Sequence, residues 1–268
     1  MPPISSVTDP QKRFEDFFVD PVYLRFKNHL YNYVRRVAEV RRELGTLGPL
    51  GGGIVMEVGS GVSPVAPVSD NVVFTDLSVR AMTTLRSQHG ARRVMAMSAT
   101  DIPLRDGSVD ALVSSEVLEH IPDDEAAFRE MNRVLKIGGS LIITVPVNPK
   151  YFTYDDEFVK HQRRYDARDL VESLERKGFA IVKISKVAAF LEKVTTLSIV
   201  IVFRLVRPLL HMRETRAQGD AVRMFLQCLL PVYQILNWLY SLIIALEAKV
   251  MPLAFTSILL IHARKVRA

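Results

Sequence analysis

The stretch IVMEVGSG, residues 54–61, combines a buried strand with an acid and two glycines, and VVFTD, residues 72–76, is a second strand ending in an acid. Gly59 and Gly61 let the backbone turn sharply and approach a ligand closely, because glycine has no Cβ. Asp76 stands nineteen residues after the first acid, where the ribose diol of a nucleoside lies in an open α/β sheet. The two stretches therefore predict a site for a nucleoside-containing cofactor.

Two classes of cofactor compete for this pattern. A dinucleotide site has the spacing G-x-G-x-x-G, but Pro64 occupies the third position and donates no backbone N–H. Glu57 would repel a diphosphate and would attract a cationic amino-acid group. S-adenosylmethionine carries such a group, together with a sulfonium and no phosphate. The motif therefore favours S-adenosylmethionine over NAD, and a strand end without any ligand is the third alternative.

Composition and charge narrow the class of protein. The length of 268 residues suits one domain with an elaboration, and the single cysteine, Cys228, excludes a disulfide framework. The first residues lack the apolar core of a signal peptide, so we expect a cytoplasmic protein in a reducing compartment. A net charge of +6 indicates an anionic surface or partner. Aromatic residues do not alternate with the basic ones on one face, so we expect no nucleic-acid partner.

Strand and helix patterns alternate along the chain, which predicts a parallel sheet with helices on both faces. The apolar strand runs are 53–58, 72–76, 93–97, 109–114, 140–146, 179–187 and 255–265. The helical patterns are 11–45, split near Asp20-Pro21, and then 78–88, 123–135 and 166–177.

Two longer motifs carry a family resemblance. After the third strand run comes SATDIPLRDGSVDALVSSEVLEHI (98–121), followed by FREMNRVLKIGGSLIITVPV (128–147), in which two glycines are expected to turn a helix into the fifth strand. Over roughly residues 50–187 the chain resembles the class I S-adenosylmethionine-dependent methyltransferases, in the methyltransferase type 11 group. The resemblance implies an α/β fold with a doubly wound seven-stranded sheet, in the order 3-2-1-4-5-7-6 with the last strand antiparallel.

The resemblance also implies cofactor contacts at the ends of the first four strands. The methionine end of the cofactor would be lined by Glu57, Gly59, Gly61, Ser115 and Glu116. The ribose and adenine end of the cofactor would be lined by Asp76, Leu77, Ser98 and Ala99. Ser98 stands where the family usually has an acid that binds the adenine amino group, so that contact is weakened. The connection after Gly61 is shorter than usual, although Ser63-Pro64 could still cap a short helix.

The reacting centre is expected after the fourth and fifth strands. Methyl transfer from a sulfonium is a direct displacement, so the protein chiefly aligns the nucleophile and excludes water. His161, in KHQRRYD (160–166), is the first candidate for a general base, and His120 is the second. For both, a structural role in holding a loop or packing is the alternative. Arg163 and Arg164 are candidates to bind an anionic substrate group. We assign no metal site.

An apolar helical insert, residues 190–250, precedes the last strand. Its run 224–246 is long enough to span a bilayer, whereas 194–203 would reach only about 15 Å as a helix. Because the last strand must return to the sheet, we expect instead a helical pair that caps the site or lies at an anionic membrane surface. Gln234 and Ser241 would lie in a narrow polar stripe. Either arrangement predicts an apolar wall and a lipid-like acceptor.

These patterns support one leading hypothesis and two alternatives. We expect methyl transfer from S-adenosylmethionine to an O or C atom of a small-molecule or lipid-like acceptor. The alternatives are an NAD-linked reductase and a non-catalytic membrane-surface protein that keeps the fold. We divide the chain into an N-terminal helical segment, residues 1–48, and a methyltransferase domain, residues 49–268. Membrane attachment would be peripheral, on the inner face.

Overall fold

A computed structural model describes residues 28–48, 53–211 and 216–267, with side chains described outside 202–228. The first part of the expected N-terminal helix, with Asp20-Pro21, lies outside the described residues, as does the side chain of Cys228. The seven strands are β1 (Val55–Val58), β2 (Val72–Asp76), β3 (Val94–Ala96), β4 (Val109–Ser115), β5 (Leu135–Pro146), β6 (Phe179–Ala188) and β7 (Ile258–Lys265).

The strands form one sheet in the order β3-β2-β1-β4-β5-β7-β6. β1 to β5 are parallel to one another, and β7 runs antiparallel to both β5 and β6. All four residues of β1 are buried, as expected for a central parallel strand that is covered on both faces. The predicted sheet order and antiparallel last strand are confirmed.

Helices cover both faces of the sheet. They are α1 (Tyr31–Thr46), α2 (Val79–His89), α3 (Asp124–Val134), α4 (Tyr154–Val159), α5 (Ala167–Arg176), α6 (Phe190–His211) and α7 (Arg216–Val250). Ser78, Asp123 and Asp166 begin α2, α3 and α5, and each side chain accepts a hydrogen bond from a backbone N–H of the first turn. These caps explain why the predicted boundaries of the three helices agree closely with the observed ones.

The core has two parts because successive side chains of a strand point to opposite faces of the sheet. Met56 and Leu112 lie in the cluster that includes Phe128 of α3. Val55 lies in the other cluster, with Leu85 of α2. The site at the strand ends is therefore supported from both faces.

The connection from β1 to β2 contains no helix within residues 59–71. The expectation that Ser63-Pro64 caps a short helix is therefore wrong. The N–H groups of Val65 and Ala66 donate to the Glu57 carboxylate, at 2.9 and 2.8 Å, and so do not start a helical turn. The connection is a loop attached to the buried strand.

The fifth strand begins earlier than the sequence predicts. Leu135 directly follows α3 and already pairs with Val109, after which the register shifts. A Cβ on Gly139 would lie only 2.8 Å from the carbonyl oxygen of Lys136. The two glycines therefore form an irregularity inside β5, rather than the junction between helix and strand.

Within residues 229–250, helix α7 directs a polar stripe towards the protein and a broad apolar face outward. The Asn237 Oδ1 accepts from the Tyr31 N–H at 3.2 Å, and the Glu247 Oε1 accepts from the Leu191 N–H at 2.9 Å. Ser241 is buried on the same side, as the predicted polar stripe requires. The apolar side chains on the outer face are Val232, Ile235, Leu236, Trp238, Leu239, Leu242, Ile243 and Leu246, which are all exposed.

Among the described residues, the segment Leu229–Val250 of α7 has the length and apolar composition that could cross a membrane, and only 11% of its most apolar 18-residue window is buried in the protein. Helix α6 is 22 residues long, so it extends well beyond the uncharged run 194–203. The helix is therefore about 33 Å long, roughly twice the 15 Å expected from the run 194–203 alone.

Candidate active site

The glycine turn after β1 lies against the end of β2. Gly59 and Gly61 have φ angles of +71° and +54°, a region that favours glycine. A Cβ on Gly59 would collide with the side chain of Val117, so the turn also requires a residue without one. The Asp76 carboxylate accepts from the N–H of Gly61 at 2.9 Å and from that of Ser78 at 2.8 Å. The structure thus brings three of the predicted cofactor residues together.

Glu57 lies beneath this turn and is buried. Each of its oxygens accepts a backbone N–H from the loop at Val65 and Ala66. Burial raises the pKa of the Glu57 carboxyl to about 7, although these hydrogen bonds and Arg41 act in the opposite direction. The carboxylate has a clear structural task, and its contact with the methionine moiety stays a prediction.

A carboxylate oxygen at the end of β4 lacks a hydrogen-bond donor among the described residues. Glu116 has a left-handed φ of +55°, and its N–H donates to the Thr144 carbonyl at 2.9 Å. The hydroxyl of Ser115 lies 2.8 Å from that of Thr144. The Glu116 Oε1 is buried and has no hydrogen-bond partner within the described residues. A buried, unpaired carboxylate oxygen is costly, and an ammonium group such as that of S-adenosylmethionine would satisfy it.

The predicted adenine end lies after β2 and β3. Leu77 and Ala99 are half-buried, and Ala99 packs against the core. The hydroxyl of Ser98 lies 2.7 Å from that of Thr100 and accepts the Thr100 N–H at 3.2 Å. Ser98 therefore stabilises its own turn, which agrees with the expectation of a weakened contact to adenine.

The two candidate catalytic histidines lie side by side. The centroids of the His120 and His161 rings are 4.7 Å apart in an edge-to-face arrangement. The His161 Nδ1 lies 2.8 Å from the Asp156 Oδ1, and the His161 Nε2 lies 3.7 Å from the Glu119 Oε1. Sequence reasoning missed both carboxylates, although Glu119 directly precedes His120 in the quoted motif. Burial and the nearby Glu116 carboxylate raise the pKa of Glu119 well above its usual value.

The arginines of the KHQRRYD segment hold the loop. Arg164 donates from Nε to the Asp156 Oδ1 at 2.8 Å, and Lys193 of α6 donates to the other oxygen of Asp156 at 2.8 Å. Arg163 pairs with Asp124 and donates to the Pro122 carbonyl at 2.7 Å. Burial opposes ionisation of Asp156, but its hydrogen bonds from His161 and Arg164 hold the pKa below its usual value. These contacts favour a structural role for both arginines over the binding of an anionic substrate group.

A cavity of about 640 Å³ lies at the opposite edge of the sheet. Its lining includes Glu43, which pairs with Lys183 and lies 3.6 Å from the Nδ1 of His262. Ligands of open α/β sheets bind at the carboxyl ends of the strands, and this cavity lies at the other ends. We therefore place the candidate active site at the glycine turn.

Residues 56–143 match the sequence model of a methyltransferase domain. This segment contains the glycine turn, Asp76, Ser98 and Glu116, and the sheet order is that of the same class. The matched segment has the sequence and the sheet order of a class I methyltransferase domain. The match supports S-adenosylmethionine, the cofactor that the sequence predicts.

Individual relatives agree with this assignment. A probable S-adenosylmethionine-dependent methyltransferase of Mycobacterium tuberculosis is 31% identical over 123 residues, 45% of each chain. The 2-methyl-6-phytyl-1,4-hydroquinone methyltransferase 1 of rice is 27% identical over 124 residues, which cover 44% of this chain and 37% of that protein. The chain thus spans about half the length, or less, of these curated relatives.

A solved structure shows the same fold. The phosphoethanolamine N-methyltransferase 2 of Haemonchus contortus, in complex with S-adenosyl-L-methionine, superimposes with a TM-score of 0.53 and 16% identity. The superposition covers 88% of this chain and 53% of that chain. At this identity the likeness concerns the fold alone.

Proposed function

We propose that the protein transfers the methyl group of S-adenosylmethionine to an O or C atom of a lipid-like acceptor. The observation that carries this proposal is the buried, unpaired Glu116 Oε1 at the end of β4. It provides an anionic acceptor for the ammonium of the cofactor at the edge of the sheet where the glycine turn and Asp76 meet. A nicotinamide dinucleotide has no such ammonium.

Different residues of the chain would bind the cofactor and orient the acceptor. Gly59 and Gly61 allow the backbone to approach the cofactor, and Asp76 accepts hydrogen bonds from the ribose hydroxyls. The reaction is a direct displacement, so orientation of the acceptor and exclusion of water are the main tasks. The segment after β5 and the start of α6 form the surface beside the cofactor site. They are held together because Lys193 of α6 bonds to both Asp155 and Asp156 of α4.

Apolar side chains near this loop support an acceptor with an apolar part. Phe152 and Phe158 are exposed in the segment after β5, and Phe190 and Val194 are exposed at the start of α6. The rice relative is named for an acceptor that carries a phytyl chain. A lipid-like acceptor would cover apolar surface that otherwise faces water.

The outer face of α7 supports attachment to a lipid surface. A helix that directs a polar stripe inward and a broad apolar face outward presents the kind of patch that marks a membrane or protein interface. Trp238 is exposed on this face, and an aromatic side chain is favoured at a membrane interface. The net charge of +6 adds attraction to anionic lipids. We assign this face to the surface of an anionic membrane, from which the enzyme would take its acceptor.

Calorimetry tests the cofactor assignment. S-adenosylhomocysteine should bind to the wild type, and Asp76→Ala should weaken binding by at least about tenfold, since a ribose contact and the turn are both lost. Asp70→Ala removes an exposed carboxylate just before β2 and should bind as the wild type does. If the wild type binds NADH and not S-adenosylhomocysteine at millimolar concentration, the protein is a reductase.

Flotation with liposomes tests the lipid surface. The wild type should float with vesicles of anionic lipid, and the double change Ile235→Glu with Leu236→Glu should leave the protein in solution. Ile137→Glu, which is equally exposed but lies on β5, is the matched control and should float. Equal flotation of all three proteins would refute the assignment of the α7 face.

A further inference from the structure

Three side chains with metal-binding atoms converge beside the candidate active site. They are Glu119 and His120, in the short 3-10 helix Leu118–His120 after β4, and His161, just after α4. One ligand atom from each lies within 4.8 Å of the other two. The residues come from segments that are distant in the sequence, so only the fold assembles them.

The carboxylate of Glu119 lacks the partners that a buried anion needs. The residue is fully buried, and neither of its oxygens has a hydrogen-bond partner within the described residues. The His161 Nε2, 3.7 Å away, is too distant for a hydrogen bond. A buried carboxyl group stays neutral unless it is paired or coordinates a metal. The carboxylate is directed at the two histidine rings.

Both histidines have Nδ1 near an oxygen atom. The His161 Nδ1 lies 2.8 Å from the Asp156 Oδ1, which assigns the proton to Nδ1 and directs the Nε2 lone pair towards Glu119. The His120 Nδ1 lies 3.4 Å from the Lys160 carbonyl oxygen. Metal-binding histidines usually donate their other ring N–H to a carboxylate or a carbonyl in this way. Asp156 would be a positioning residue for His161.

The backbone holds the two segments in register. The Gln162 N–H donates to the Glu119 carbonyl at 2.8 Å, directly beside two of the three side chains. Lys160, just before His161, has a left-handed φ of +64°. Such a conformation is costly for a residue other than glycine and is concentrated at functional sites. The arrangement is thus fixed before any ligand enters.

We propose that Glu119, His120 and His161 bind one divalent transition-metal ion. The donor set is two imidazole nitrogens and one carboxylate oxygen, which suits zinc, cobalt, iron or manganese better than the all-oxygen preference of calcium and magnesium. The ion would satisfy the unpaired carboxylate of Glu119 and would take one nitrogen of each histidine ring as a ligand. Three protein ligands leave coordination positions open, as in catalytic rather than structural metal sites. An oxygen atom of the acceptor could occupy one of them.

Cobalt titration of the full-length protein tests this site. The protein is treated with a chelator, any affinity tag is removed, and Co²⁺ is added while the visible absorption bands and the heat of binding are recorded. The wild type should take up one ion per chain. Glu119→Gln, which keeps the shape of the side chain, and His161→Ala should each weaken binding by at least about tenfold. His89→Ala, an exposed histidine at the end of α2, should bind as the wild type does.

Circular dichroism and binding of S-adenosylhomocysteine establish that each variant is folded. If Glu119→Gln binds cobalt as tightly as the wild type, the site is refuted. The same holds if the wild type takes up less than one ion per chain at millimolar Co²⁺. The metal assignment does not depend on methyl transfer, because cofactor binding without metal is measured separately.

Discussion

The carboxylate of Asp76 accepts the backbone N–H of Gly61 at 2.9 Å, so the last residue of β2 fixes the glycine turn that follows β1. Its other oxygen accepts the N–H of Ser78, the cap of α2. One side chain therefore connects a turn, a strand and a helix at the edge where the cofactor is expected. The same carboxylate would accept the ribose hydroxyls.

Asp76→Ala should lower the free energy of unfolding by about 1–3 kcal/mol, because it leaves two backbone N–H groups without their acceptor. Urea denaturation measures this change. Asp70→Ala breaks an exposed ion pair with Arg92 and should change the stability by less than about 1 kcal/mol. Equal effects of the two substitutions would contradict the role given to Asp76.

Gly59→Ala should destabilise the protein more than Gly90→Ala does. Both glycines have a positive φ, at +71° and +64°, so both substitutions carry a backbone cost of about 1–2 kcal/mol. Only Gly59 would place its new Cβ against Val117, whereas the space around Gly90 is open. Thermal and urea denaturation of the two variants give the comparison.

A second substitution separates the collision from the backbone strain at this turn. Val117→Ala removes the two side-chain atoms that the new Cβ would meet most closely, so the double variant should recover part of the loss seen in Gly59→Ala. An additive result, with no recovery, would show that the steric conflict with Val117 is not the cause.

The stability of the protein should depend on pH through Glu57. The folded state raises the pKa of Glu57 from 4.5 to about 7, so the native protein holds this proton over a range in which the unfolded chain has lost it. The contribution of this group to the free energy of unfolding is therefore largest below pH 4.5 and falls as the pH rises towards 7. Each pKa unit of difference corresponds to roughly 1.4 kcal/mol.

Urea denaturation across this range of pH provides the test. In Glu57→Gln the free energy of unfolding should change less steeply with pH than in the wild type. This holds even though the amide loses one of the two loop hydrogen bonds. Glu157→Gln, an exposed change in α4, should keep the slope of the wild type. A slope that does not change in Glu57→Gln would rule out titration of Glu57 as its source.

Lys193→Met should destabilise the protein by about 3–5 kcal/mol, because the buried carboxylate of Asp155 loses its closest cation and, among the described residues, Asp156 keeps only Arg164. Lys249→Met, on the exposed end of α7, should have little effect. The effect should also appear in the binding of cobalt, since Asp156 orients His161. If both methionine variants unfold at the same urea concentration, the contacts of Lys193 contribute nothing measurable.

The strands, the helix starts and the cofactor edge could be predicted because they depend on neighbours in the sequence. Ser78, Asp123 and Asp166 each bond to the backbone within three residues, so the caps are visible in the sequence. Buried runs such as Val55–Val58 indicate a central strand by composition alone. The antiparallel last strand came from the family resemblance and not from periodicity.

The early start of β5 and the absence of a helix after β1 could not be predicted in this way. Leu135 is extended because Val109 pairs with it across the sheet. The loop at Val65 and Ala66 is non-helical because a buried carboxylate takes its N–H groups. In both cases a long-range partner overrides the local preference of the backbone.

The sequence by itself determined the sheet, its order through the family motifs, and the edge where Gly59, Gly61 and Asp76 meet. The strands and the glycine turn follow from apolar periodicity and backbone geometry, which are local properties, whereas the strand order came from the family resemblance. Only the tertiary structure placed Glu119 beside His161 and turned the polar stripe of α7 inward. The stripe lies inward because a buried polar group without a partner is costly. Glu119 lies beside His161 because the backbone hydrogen bond from Gln162 joins two segments that are far apart in the chain.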